Sequence, residues 1–383
     1  MNSINKKIGW LNGLRGLACL SVYLVHFDAI FIYCDMGNKQ LSSIYRLLHS
    51  CANSILNVYF WLVVFYLISG VLAENKKSNS ITQLLCNIFF RYIRFVIPLF
   101  FAGIFSFAIS RTIGFHNTEL APLLGSDTLV SFYNDRIQIV DILKSAFLFD
   151  SKINPPLWTI RGIFWGSCTV YVINYITRNM KAKCQLSVSV VATIFFFIIG
   201  KGNNTFFYII ASTISGSVLS KVWRIPNETQ INNTVSTFLV LLAGIVLNSM
   251  FGIISRWLER YIPLDSFFIT LNVDYILAIF FFGFIHYSRT IKNILEFSIV
   301  EKLGKYAFSV YVIHEPIICS VSLILIKMLL TLTDNYTLSV ITSFFVTSAT
   351  LAFIVFIYEN TIARMENRLI QLTKKLLLNA IYY

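Results

Sequence analysis

Residues 11–31 read LNGLRGLACLSVYLVHFDAIF. The run is apolar and long enough to cross a bilayer as a helix, yet it carries Arg15 and His26. Their spacing corresponds to about 16 Å of rise and nearly whole turns, at roughly 1.5 Å and 100° per residue. Both side chains therefore project from one helix face, with Ala18, Cys19 and Val22 between them. With Arg15 at the membrane edge, His26 reaches the middle of a hydrocarbon core roughly 30 Å thick. Ionisable groups at that depth are costly, and a functional role is their default reading. The plainer alternative has Arg15 anchoring the helix end and His26 bonding a neighbouring helix.

The rest of the chain repeats the apolar theme. Of 383 residues, 56% are hydrophobic and 13% charged, and the mean hydropathy is +0.70. Such a composition excludes a soluble globular domain and predicts an all-α, polytopic membrane protein. A 19-residue window places about ten spans, at 11–33, 52–72, 87–110, 157–177, 186–200, 204–220, 233–253, 270–288, 304–328 and 337–359. Lysines and arginines cluster in alternate connections, among them Lys6, Lys7, Lys76, Lys77, Arg178, Lys181, Lys221, Arg224, Arg289 and Lys292. The positive-inside rule then makes both termini cytoplasmic. The net charge of +13 is accounted for by this topology, so nucleic acid is not an expected partner. The lipid bilayer is. The reading is of one membrane domain over residues 1–383, with no cleavable signal expected at its start. A long periplasmic connection covers about 111–156, and a cytoplasmic amphipathic tail covers 362–383, lying along the inner surface.

Chemistry-bearing residues are few. Ser69 and Gly70, near the inner end of the second span, suit close backbone approach first and catalysis second. Arg91 and Arg94 share a face of the third span; they either reach to lipid phosphates or clamp the phosphates of a cytoplasmic donor. In the ninth span, LGKYAFSVYVIHEPII, His314 lies roughly 14 Å beyond Lys305, a depth matching that of His26. Pro316 frees the carbonyl of Val312 and predicts a kink beside His314 and Glu315. Glu359 is expected to pair with an arginine or Lys305. The histidines show no metal-ligand spacing, so no metal is expected. The seven cysteines read as small apolar residues. There is no Walker loop, no GxGxxG and no GxSxG elbow.

In order along the chain, these segments resemble the acyltransferase-3 family of integral membrane O-acyltransferases, and within it the bacterial enzymes that acetylate O-antigen or other surface polysaccharides. LNGLRGLACLSVYLVHF is similar to the family's opening Arg, ten residues, His pattern, here Arg15 and His26. VFYLISGVL, FRYIRFVIP, PLWTIRGIF and SVYVIHEPI resemble its later motifs. Two positions depart: Asn12 stands where many relatives carry Asp, and Ile163 where many carry Glu. The resemblance implies an O-acetyltransferase of the bacterial inner membrane. It would carry acetyl from cytoplasmic acetyl-CoA to a sugar hydroxyl of a lipid-linked or surface glycan. In that frame His26, Arg15 and His314 are the expected catalytic residues, with His26 as general base. Arg91, Arg94, Tyr311 and Ser69 are the expected donor-binding residues, and Tyr311 also suits an oxyanion donor. The competing class is a transporter or flippase of a glycan intermediate, which ten helices with buried charge would also suit. Against it, no internal symmetry of two halves is visible.

Overall fold

The computed structural model describes residues 9–31, 56–124, 129, 132–133, 136–200, 204–224 and 266–382. The helices are α1 (Gly9–Phe31), α2 (Val58–Glu74), α3 (Ile81–Arg111), α4 (Asn117–Leu124), α5 (Ile139–Leu148), α6 (Trp158–Ile176), α7 (Ala182–Gly200) and α8 (Thr205–Trp223). They continue with α9 (Ser266–Tyr287), α10 (Arg289–Leu295), α11 (Ser298–Ile317), α12 (Leu323–Thr333), α13 (Tyr336–Asn360) and α14 (Ile362–Tyr382). A 3₁₀ turn, Pro155–Leu157, precedes α6, and a π-helical turn, Ile318–Ser322, joins α11 to α12. No strand occurs among the described residues. The protein is an all-α polytopic membrane protein. Five helical stretches have the length and apolarity to span a bilayer: Ile81–Arg111, Ala182–Gly200, Thr205–Trp223, Ser298–Thr333 and Tyr336–Leu376. Nine of the ten expected spans fall on described helix; the one at 233–253 lies outside the described residues.

Two compact units emerge from the packing, each taking part of α1 and of α11. The first comprises residues 1–25, 42–87 and 162–307. Glycines decide how closely its helices meet. A Cβ added to Gly70 in α2 would lie 1.8 Å from the Thr213 carbonyl oxygen of α8, and one on Gly216 would lie 2.1 Å from the Leu67 carbonyl oxygen. Only hydrogen fits at either place, so the two backbones cross in contact, as small-residue interfaces allow when no water drives helices together. The close approach anticipated at Gly70 is therefore observed. Ser69 beside it is buried, its hydroxyl 3.1 Å from that of Ser167 in α6. At the end of α2, buried Glu74 receives Lys221 Nζ at 2.5 Å, Ser217 Oγ at 2.7 Å and Arg224 Nη1 at 3.0 Å. Burying that carboxylate is tolerable because three donors satisfy it.

The second unit comprises residues 26–41, 88–161 and 308–383. The long connection at 111–156 is not a bare loop here, for it contains α4, α5 and the 3₁₀ turn. In α5, Asp141, Ile142, Ser145 and Ala146 are buried, while Ile139, Leu143 and Phe147 face outward. Gly103 of α3 makes room for this packing: a Cβ there would lie 2.9 Å from Ile142 Cγ2. The tail forms α14, with Met365, Leu369, Leu372 and Leu376 exposed among Arg364, Arg368, Lys374 and Lys375. Glu359 accepts from the Ser309 hydroxyl, a partner that charge complementarity alone did not point to.

Candidate functional site

Helices α1 and α11 run side by side over three contacts. Arg15 meets Gly304, Cys19 meets Ala307 and His26 meets His314, at sequence offsets of 289, 288 and 288. A constant offset means parallel helices in fixed register. Glycines permit the approach: a Cβ on Gly304 would stand 1.8 Å from the Asn12 carbonyl oxygen, and one on Gly16 would stand 2.5 Å from Gly304 N.

In the first unit this register delivers Arg15 to a backbone acceptor. Its Nε and Nη2 donate to the Gly304 carbonyl at 3.1 and 2.7 Å, and Nη2 also reaches Asn12 Oδ1 at 3.2 Å. A planar guanidinium can make this forked arrangement where an ammonium cannot. Asn12 supplies a neutral amide oxygen to Arg15. Ile163, at the other departure from the family pattern, offers only its carbonyl, which accepts from Ser167 Oγ at 2.8 Å.

In the second unit, His26 Nδ1 lies 2.8 Å from His314 Nε2 and 3.2 Å from Glu315 Oε2. His314 and Glu315 are each 1% exposed, whereas the His26 side chain is 26% exposed. The ring centroids are 5.0 Å apart with the planes 16° from parallel. At that separation, with nitrogens in contact, the rings meet edge to edge rather than face to face. The contact thus runs along the direction of an N–H···N hydrogen bond. His314 Nδ1 faces the Val310 and Tyr311 carbonyl oxygens at 3.1 and 2.9 Å. Those oxygens only accept, so Nδ1 carries the proton and, in the neutral ring, Nε2 presents a lone pair. His26 Nδ1–H donates to it. His26 Nε2 keeps the remaining lone pair and has no partner among the described residues.

The same three side chains each offer one ligand atom, all within 4.8 Å of one another. Proximity would admit a divalent ion, but the two imidazole nitrogens point at each other and not at a common centre. That orientation suits a shared proton better than a metal.

The helix stays continuous past Pro316, and the carbonyl that the proline leaves without its helical donor finds another partner. Pro316 cannot donate to the Val312 carbonyl, and the side-chain amide of Asn154 does so instead at 2.7 Å. The π turn follows at once, a feature frequent at functional sites. Tyr311 is a strut at the same level: its hydroxyl donates to the Pro156 carbonyl and stands 2.7 Å from Thr159 Oγ1. These contacts tie the start of α6 and the 3₁₀ turn to α11.

The remaining expected residues sit elsewhere. Arg91 packs its guanidinium over Phe95, 4.7 Å from the ring centroid, and Arg94 is exposed, both on α3 of the second unit. Arg15 and Ser69 belong to the first unit. The structure thus joins His26 to His314 and adds Glu315, which the sequence placed only beside the kink expected at Pro316. Also missed was Asp274 in α9, fully buried with Oδ1 accepting from Asn57 at 2.7 Å. The signal was present, an acid inside an apolar span.

Within an all-α polytopic membrane protein, His26, buried His314 and buried Glu315 form one polar cluster on apolar helices. The family model described as "Acyltransferase domain" matches residues 8–359, and the chain belongs to that acyltransferase-3 family. The match covers both units and every residue of the cluster. No curated protein and no solved structure matches the chain.

Proposed function

We propose that this acyltransferase moves acetyl from acetyl-CoA to a sugar hydroxyl of a lipid-linked or surface polysaccharide, such as O-antigen, in the bacterial inner membrane. The observation that carries the reading is the 2.8 Å contact between His26 and His314, which frees His26 Nε2 to act as a base. The acceptor hydroxyl gives its proton to that nitrogen as its oxygen attacks the thioester carbonyl. The carbon–sulfur bond breaks and the proton passes to the departing thiolate, leaving an acetate ester and free CoA. As His26 becomes charged, Glu315 Oε2, 3.2 Å from Nδ1, stabilises the imidazolium. In a medium of low dielectric that attraction is several times what it would be in water.

Arg91 and Arg94 are the proposed clamp for the CoA phosphates, since guanidinium forms paired bonds to phosphate. Arg15, held on the Gly304 carbonyl, fixes the register of α1 against α11. Tyr311 and Ser69 support the donor site through the bonds they make within their own units.

The test is acetyl transfer by the purified protein in lipid nanodiscs, using radiolabelled acetyl-CoA and surface polysaccharide stripped of its esters by alkali. Ester-linked label in the polysaccharide, absent with His26→Ala, is the expected result. Equal labelling by both proteins overturns the reading.

A further inference from the structure

The segment around α5 follows α3 back along its length. Arg111, the last residue of α3, donates Nη2 to the Ile137 carbonyl at 3.2 Å. Nearer the middle of α3, a Cβ on Gly103 would lie 2.9 Å from Ile142 Cγ2 and 3.0 Å from Ile153 Cδ1. Farther back, Phe95 and Tyr92 hold the Phe149 ring at centroid distances of 6.1 and 5.6 Å, and the Tyr92 hydroxyl donates to the Phe147 carbonyl at 3.0 Å. Contacts at Arg111, Gly103 and Phe95 thus fall on Ile137, Ile142 and Phe149, so α5 runs antiparallel to α3. Between Arg111 and Phe95 the helix rises about 24 Å, most of a hydrocarbon core roughly 30 Å thick. α3 has the length and apolarity to cross that layer.

The chain then turns and comes back. Phe149 ends α5 in a left-handed conformation, φ 57°, and residues 150–154 are not helical. On this return limb Ile153 meets Gly103 beside Ile142, and Lys152 Nζ lies 3.7 Å from Asp141 Oδ1, near the start of α5. Two limbs and a tip at Phe149 make a hairpin. Irregular backbone is tolerated at membrane depth only where its polar groups find partners inside the protein. Here the Asp150 N–H donates to the Lys144 carbonyl at 3.3 Å, the Lys152 N–H to Asp150 Oδ1 at 2.7 Å and the Asn154 N–H to the Ser151 carbonyl at 3.1 Å. Ile153 and Asn154 are buried, and the Asn154 side chain is spent on the Val312 carbonyl.

We propose that residues 137–157 re-enter the membrane from the Arg111 end of α3, and that lipid acyl chains cover the outward face of α5. Ile139, Leu143 and Phe147 form that face by helical spacing, and Ile139 is 67% exposed. The face continues the exposed surface of α3, where Ile104 adjoins Gly103. Both helices therefore present apolar side chains outward at one depth, where the neighbour of a membrane span is lipid. Exposed Lys144 stands on the flank of the face, and its stem can carry the ammonium toward a polar border. The tip beside Tyr92 is level with Arg91 and Arg94, so exposed Asp150 ends at the charged part of α3 rather than in hydrocarbon. The inference is independent of the transfer chemistry.

The experiment is photolabelling of the full-length protein in nanodiscs doped with phosphatidylcholine that carries a diazirine in its acyl chain. Adducts are mapped by mass spectrometry, and hydroxyl-radical footprinting from the aqueous phase is run in parallel. The expected result is lipid adducts on Ile139, Leu143 and Phe147 in yields comparable to Ile104, with Phe147 oxidised severalfold less than in the denatured chain. Full oxidation without adducts would place α5 in water and overturn the re-entrant hairpin. Adducts together with full oxidation would lay α5 on the membrane surface and overturn its insertion. Protection from both reagents would mean a protein cover, such as a second copy of the chain, and would overturn lipid as the occupant.

Discussion

His26 Nδ1 and His314 Nε2 stand 2.8 Å apart on two parallel helices, although 288 residues separate them in sequence. One ring is buried and tautomerically fixed by backbone carbonyls, and the other is partly open. Under the proposed function, that asymmetry suits His314 to orienting and His26 to reacting.

Replacing His314 with alanine removes the acceptor that sets the His26 tautomer. Transfer should fall by about 10²-fold or more, within the range that positioned bases contribute. Glu315→Gln keeps the shape and removes the charge that meets the imidazolium, so kcat should fall while KM for acetyl-CoA stays put. Steady-state kinetics distinguish this from a binding defect, which would raise KM with kcat intact.

Gly304 has no room for a side chain, since its Cβ would meet the Asn12 carbonyl oxygen at 1.8 Å. Gly304→Ala should force α1 away from α11 and cost about 1–3 kcal/mol or more, read as a melting temperature several degrees lower. Gly283→Ala is the control, because nothing lies within 4 Å of a Cβ there; its melting temperature should not fall. Equal melting of the two variants would contradict the close packing.

Asn12 accepts from Arg15 Nη2 at 3.2 Å, and an aspartate there would accept the same bond with a full charge. Asn12→Asp should preserve transfer and raise thermal stability by a modest amount. Arg15→Lys, which cannot fork onto the Gly304 carbonyl, should lower stability by about 1 kcal/mol or more. A lysine variant melting like the parent would show that charge alone suffices.

Much of this architecture could be read from residue order. Apolar runs located the helices, and helical rise put His26 and His314 at one depth. Pro316 announced the freed Val312 carbonyl. Residue order could not say what would fill that vacancy, because Asn154 reaches it from a connection with no periodic pattern. Glu315 was visible as an acid in an apolar helix, yet its direction depends on how α11 turns toward α1. The stack of Phe115 on Tyr133 gave no signal at all, since it is a tertiary contact in a segment outside the spans. Tyr311 looked like a substrate-facing hydroxyl; tertiary packing directs it to Pro156 and Thr159.

Glu119 on α4 bonds Lys327 of α12 and His116. The Lys327 bond foremost, then His116, holds its carboxyl below the ordinary value of 4.5. A carboxylate with a depressed folded-state value adds stability above its ordinary value and loses it as pH falls through the folded one. Both partners are half exposed, so the contribution is small and weakened by salt. Glu119→Gln should melt slightly below the parent near neutral pH, with the gap closing as the pH falls below the ordinary carboxylate value of 4.5. A gap that persists in acid would contradict the ion pair as its source.

The most direct measurement is the O-acetyl content of the surface polysaccharide, by NMR, in cells expressing either the parent protein or His26→Ala at equal levels. The account predicts acetyl signals with the parent and their loss with the variant. Undiminished acetylation in the His26→Ala cells would contradict the assignment of His26 as the base.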